Sequence, residues 1–181
     1  MGEPIIPQLE EPDYLSWEEK QKTKFELHHG FVVAFAGGTA AHDTVANNVR
    51  AALKRLFPSP CRMVGSDVKL RISAETFFYP DAVVVCNPVS DGATFLEGPR
   101  IVAEVLSRST RGYDLVEKRA AYRSLPSLAA YGVVHTDTRR VEVDSRNHDG
   151  TWTTETFDEE AFIDGRELSL DEIYAETSLD A

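Results

Sequence analysis

The run Ile101-Val102-Ala103-Glu104-Val105-Leu106 constrains this chain more than any other segment. Apart from one carboxylate it is wholly apolar, which is the pattern of a central strand covered on both faces. A carboxylate inside such a run is costly to bury unless something pairs with it. A second acid stands in a similar place. Asp81 follows Pro80 and opens the apolar run Ala82-Val83-Val84-Val85-Cys86. Lys118 follows Glu104 after 14 residues. Two strand-end carboxylates with a lysine are what metal-assisted phosphodiester chemistry needs. Magnesium and manganese take hard oxygen ligands, and an ammonium steadies charge that develops on a phosphate.

The remaining pattern supplies the frame. Residues 1–12, rich in Pro and Glu, are expected to be poorly ordered, with one domain over 13–181. Residues 13–22 read as a short helix with Ser16 as N-cap and Glu19 three residues on. Phe25–Leu27 and Phe31–Phe35 read as a hairpin turning at Gly30. After the Gly37-Gly38-Thr39 loop, Val45, Val49, Ala52, Leu53 and Leu56 recur at helical steps from His42 to Phe57, ahead of Pro58. Strands are expected at 61–73, Thr76–Cys86, Arg100–Leu106, Leu128–His135, Arg139–Asp144 and Thr151–Phe157. Ser107-Arg108-Ser109-Thr110 supplies turn and cap chemistry before a helix over Tyr113–Ser124, and Leu170–Tyr174 reads as a terminal helical turn. The order predicts one mixed β-sheet flanked by helices in a single α/β domain.

Charge and cysteines narrow the setting. The net charge of −11 argues at first against nucleic acid. Its distribution does not: residues 1–140 hold 17 Lys and Arg against 17 Asp and Glu, and residues 141–181 hold 2 against 13. Arg108, Arg111, Lys118, Arg119 and Arg123 make the segment beside the candidate site locally positive. Cys61 and Cys86 form no CxxC pair, and Cys86 reads as a buried free thiol. No apolar run is long enough to span a membrane, and no signal peptide is visible. Together these predict a cytoplasmic protein.

Phe25-Glu26-Leu27-x-x-Gly30, His42, Pro80-Asp81, Glu104-Val105-Leu106-Ser107-x-Ser109-Thr110, Asp114, Lys118 and Tyr122 occur in an order and spacing that resembles the Uma-two family. That family belongs to the PD-(D/E)XK nuclease superfamily, and the resemblance covers roughly residues 13–143. It implies a restriction-endonuclease-like fold. It also implies a Mg²⁺ or Mn²⁺ held by Asp81, Glu104 and the Val105 carbonyl, with Glu26 nearby and Lys118 as the catalytic lysine. In the superfamily the lysine usually sits two positions after the acid, where this chain has Leu106. Lys118 matches a lysine that has migrated to the following helix. His29, Arg108 and Tyr131-Gly132 depart from the family pattern without removing a carboxylate.

Each assignment has a plainer competitor. Asp81 suits a turn after proline. Glu104 suits a buried acid paired with arginine. Asp114 and Lys118 suit a solvated i,i+4 pair. Glu26 suits an exposed strand position. His42 suits a helix start, and Tyr122 suits core packing. His28 and His29 are adjacent, so in a strand they face opposite ways and cannot share one metal. The function implied is a divalent-metal-dependent endonuclease on nucleic acid, DNA ahead of RNA, acting as a homodimer. The competing expectations are a catalytically silent binding or assembly module regulated by its acidic C-terminal segment, and hydrolysis of a small phosphodiester.

Overall fold

The computed structural model describes residues 8–34, 38–106 and 114–180, apart from the side chains of Asp114 and Leu115. The fold is mixed α/β. Its elements are α1 (Glu11–Glu18), β1 (Phe25–His28), β2 (Phe31–Ala34), α2 (Ala40–Leu56), β3 (Arg62–Gly65), β4 (Lys69–Ser73), β5 (Thr76–Phe78), β6 (Ala82–Val85), β7 (Phe95–Leu96) and β8 (Pro99–Leu106). A π-helical turn (Asp114–Lys118) then runs into α3 (Arg119–Arg123). β9 (Ala130–His135), β10 (Val141–Arg146), β11 (Trp152–Phe157), β12 (Glu160–Ile163), β13 (Arg166–Ser169) and α4 (Leu170–Tyr174) complete the chain.

The expected single sheet is divided. A six-stranded sheet runs β11-β10-β9-β8-β6-β3, and a five-stranded sheet runs β2-β1-β5-β4-β7. β12 and β13 form a separate ribbon. The reason lies in two runs that look continuous in the sequence. Thr76–Cys86 breaks at Tyr79-Pro80-Asp81, so β5 joins one sheet and β6 the other. Proline has no N–H for a ladder, and it permits the chain to change sheets there. The 61–73 run likewise splits into β3 and β4.

β8 is central, antiparallel to β6 and parallel to β9. Its side chains alternate between two cores. Ile101, Ala103 and Val105 meet α2 through Val45, Val49 and Leu53, together with Ile163, Leu170, Ile173 and Tyr174. Val102 and Leu106 meet Leu70 and Phe78 of the other sheet, with Tyr122 and Tyr131. Glu104 therefore projects into the second interface, between the sheets and under α3. Tyr14, Leu27 and Phe77 form a smaller cluster beneath α1.

Several local expectations change. α1 starts at Glu11 with Pro12 in its first turn, so Ser16 lies inside the helix and is not its N-cap. The α2 cap is Thr39, whose hydroxyl accepts the His42 N–H at 3.2 Å. The β1–β2 hairpin turns through His29 and Gly30, both at positive φ. The acidic C-terminal segment is no appendage. Ala161, Ile163, Leu168, Leu170, Ile173 and Tyr174 are buried core, and the Asn48 side chain donates to the carbonyls of Ile173 and Ala175. Cys61 and Cys86, which extend the β3–β6 pairing, form a disulfide in place of the expected free thiol. Among the described residues no helix is long and apolar enough to cross a membrane. Residues 1–7, Phe35, Gly37 and the 107–113 segment, on which several expectations fell, lie outside the described residues.

Candidate active site

The breaks between elements gather the candidate side chains. Asp81 immediately precedes β6, whose Ala82 pairs with Ala103, so Asp81 and Glu104 lie at one end of neighbouring strands. Asp81 Oδ2 accepts the Val105 N–H at 2.8 Å. His42, one turn into α2, brings Nε2 to 3.4 Å from the same oxygen. Arg50, two turns further on, donates to the Asp81 main-chain carbonyl at 3.1 Å. The hydrogen bond to Asp81 raises the His42 pKa, against the opposing effect of burial.

Glu104 is nearly inaccessible, at 4% exposure. Its Oε1 accepts the Tyr122 hydroxyl at 2.6 Å and the Lys118 ammonium at 3.3 Å. Burial, and then the charge of Glu104, push the Tyr122 pKa well above the ordinary tyrosine value, so this hydroxyl is a donor at any working pH. Lys118 also donates to Glu26 Oε1 at 2.9 Å. Glu26 is buried, and it accepts a further bond from the Tyr79 N–H at 2.8 Å. Burial alone would raise the Glu26 pKa, but the His28 hydrogen bond and the Lys118 charge hold it below the ordinary carboxylate value.

The expected residues form two bonded sets joined through the Glu104–Val105 peptide: Asp81 with the Val105 N–H and His42, and Glu104 with Tyr122, Lys118 and, through Lys118, Glu26. Glu26 is not an exposed strand residue, and Glu104 pairs with Lys118. The i,i+4 partner expected for Lys118, Asp114, has its side chain outside the described residues. Of the basic segment, Arg119 and Arg123 turn away from the carboxylates and bind Asp144.

Two participants escaped the sequence reading. His28 Nε2 sits 2.9 Å from Glu26 Oε2. The i,i+2 spacing on one strand was the available signal, because such residues share a face. Tyr79 supplies a main-chain N–H to Glu26, and its hydroxyl donates to Glu18 at 2.8 Å. Glu18 in turn pairs with the buried Lys69 at 2.9 Å. No spacing rule marks a main-chain donor at a break between sheets.

Among the described residues, no group of three or more His, Cys, Asp and Glu gathers closely enough to hold a metal ion. The donors at the strand end are nonetheless all oxygen: two buried carboxylates and the Val105 carbonyl. Magnesium is commonly held by one or two carboxylates, with water and substrate phosphate completing its shell. The donor set fits a hard divalent cation whose coordination is completed by substrate.

The comparisons with known proteins agree with this architecture. The family model Uma2, described as "Putative restriction endonuclease", matches residues 11–181. The uncharacterized protein slr1290 of Synechocystis is 32% identical over 150 residues, covering 81% of this chain and 79% of that protein. A second uncharacterized Synechocystis protein, sll1609, is 32% identical over 162 residues, covering 84% and 89%. A crystal structure from Anabaena variabilis, described as "a putative nuclease belonging to DUF820", superposes with a TM-score of 0.72 over 92% of this chain and 98% of that one. At 14% identity, that likeness speaks to the fold alone.

Proposed function

From the premise that this chain belongs to the Uma2 family, matched over residues 11–181, we propose that it is a divalent-metal-dependent endonuclease that hydrolyses phosphodiester bonds, in DNA ahead of RNA. The observation that carries this reading is the Lys118 ammonium beside Glu104, although Leu106 occupies the strand position usual for the lysine. A helix-borne lysine thus reaches the strand-end acid that the chemistry requires.

Asp81, Glu104 and the Val105 carbonyl would hold Mg²⁺ or Mn²⁺. When bound, the ion supplies Lewis acidity and lowers the pKa of coordinated water. The chain's own groups do the rest. The Val105 N–H and His42 orient Asp81. Tyr122 orients Glu104. Lys118 supplies a fixed positive charge for the phosphoryl oxygens as negative charge develops on them, in a buried setting where such charge is effective. Glu26 holds that ammonium from the far side. Homodimerisation belongs to the same proposal, as does a cytoplasmic location, which the Cys61–Cys86 disulfide deprives of its free-thiol argument.

A second reading is a nuclease fold kept as a binding module. One observation favours it: Glu104 and Glu26 already share the Lys118 charge, so the site is partly self-neutralised. Supercoiled plasmid incubated with Mg²⁺, Mn²⁺ or EDTA separates the two. The nuclease converts it to open circles with metal and leaves it intact in EDTA. A folded protein that nicks under no condition is the binding module.

A further inference from the structure

Lys118 points one way from its helix, and its neighbour Arg119 points another. The strand register shows what each reaches. Glu104 pairs with Val133, and Val133 pairs with Glu142, so the two acids stand in one row across β8, β9 and β10. Asp144 lies two residues along β10, opposite Tyr131, which pairs with Val102. Residues directly opposite each other in a sheet share a face. Glu104, Glu142 and Asp144 therefore all face the helix, with the apolar strand β9 between β8 and β10.

The helix straddles β9 with two pairs of side chains, each at i,i+4. Lys118 and Tyr122 bind Glu104 on one side. On the other, Arg119 Nε and Arg123 Nε lie 3.1 and 3.0 Å from Asp144 Oδ2. Thr154 donates to Asp144 Oδ1 at 2.6 Å. Arg119 Nη2 also donates to Glu142 Oε2 at 2.7 Å. Asp144 is fully buried, so removing its charge leaves Arg123 without its carboxylate and Arg119 with Glu142 alone.

This anchoring matters because the helix has little intrinsic stability. Among the described residues its α-helical part is five residues, Arg119–Arg123, and Lys118 ends a π-helical turn. So short a helix does not persist on its own propensity and is held by tertiary contacts. A lysine carried by the central strand would be placed by the sheet itself. One carried by a short helix is placed by whatever holds that helix.

We propose that Asp144 is a positioning residue for the site: through Arg119 and Arg123 it fixes the helix that presents Lys118 to Glu104 and Glu26. This rests on the reading of Lys118 as the lysine of the site. Asp144 itself contacts Arg119, Arg123 and Thr154 and none of the three candidate ligands of the metal.

The test uses the full chain and a brief pulse of an amine-acetylating reagent, with modification read at each lysine by mass spectrometry. Lys69 is the internal control, since it is buried against Glu18 in the other sheet. In the wild type both Lys118 and Lys69 are protected. In Asp144→Asn, acetylation of Lys118 rises about tenfold through local opening while Lys69 stays protected. Nicking at saturating plasmid falls by a similar factor, with the half-saturating Mn²⁺ concentration unmoved. Unchanged Lys118 protection, or Lys118 and Lys69 exposed together, overturns the proposal, as does an unchanged nicking rate in an active enzyme. If Asp144→Asn does not fold, Arg119→Lys carries the same test, because it keeps a charge and loses the fork that spans Asp144 and Glu142. A wild type that nicks nothing but shows selective Lys118 exposure in the variant overturns the nuclease reading and leaves the anchoring intact.

Discussion

Lys118 Nζ lies 3.3 Å from Glu104 Oε1, although 14 residues separate them in sequence. The ammonium arrives from a helix and meets an acid near the C-terminal end of the central strand. Tyr122, one helical turn on, donates to the same oxygen at 2.6 Å. A single carboxylate oxygen thus ties the strand to the helix twice.

The Tyr122 bond has a measurable weight. Tyr122→Phe keeps the ring in its cluster with Phe78 and Tyr131 and removes only the hydroxyl. Hydrogen bonds to buried charged groups contribute about 1.5–3 kcal/mol, and that loss is expected in urea unfolding at neutral pH. A loss near zero would mean that Glu104 is satisfied without Tyr122.

Acid should destabilise the fold through identifiable groups. Burial pushes the Glu18 pKa up, but hydrogen bonds from Lys69 and Tyr79 bring it below the ordinary glutamate value. Glu142 is likewise lowered, with Arg119 overcoming burial. A carboxylate whose folded pKa is depressed contributes stability above its unfolded pKa, and that stability drains away as pH falls through the folded value. The melting temperature should hold from neutrality to about pH 5 and fall below it. Glu18→Gln should shallow that fall. A melting temperature constant from about pH 5 to pH 3 would contradict the assignment.

The C-terminal segment carries folding energy. Ile173 is wholly buried in the core that α2 shares with β8. Ile173→Ala should cost about 2–5 kcal/mol in chemical denaturation. Removal of residues 145–181 should leave a chain with no cooperative unfolding transition. A truncated chain that unfolds cooperatively would show that this segment is dispensable.

The cysteine pair offers a simple check. Neither Cys61 nor Cys86 should react with iodoacetamide in the folded, unreduced protein, and both should react after reduction and unfolding. Alkylation of both thiols without a reductant would restore the free-thiol reading.

The carboxylates were legible because an acid in a β-branched run is conspicuous. Lys118 was legible only through the pattern that surrounds it, since the helix that aims it has no spacing rule relative to a strand. The division into two sheets was hidden, because Thr76–Cys86 is apolar on both sides of Pro80 and reads as one strand. β12 and β13 were missed for a different reason. Asp164-Gly165 is a strong hairpin signal, and both residues have positive φ, but the acidic residues on either side of it obscure the apolar alternation of a strand. Tyr79 reaches Glu26 from the break that divides the sheets, so it could not be seen before that division was known, whereas His28 was signalled by its i,i+2 spacing from Glu26 on one strand.

The most direct measurement is plasmid nicking in Mn²⁺ by the wild type, Asp81→Ala and Lys118→Ala, with each protein's thermal transition recorded alongside. The account predicts metal-dependent nicking by the wild type and its loss in both folded variants. Nicking that survives in folded Asp81→Ala or Lys118→Ala would contradict it, because the strand-end acid and the helix-borne lysine would then not form one active site.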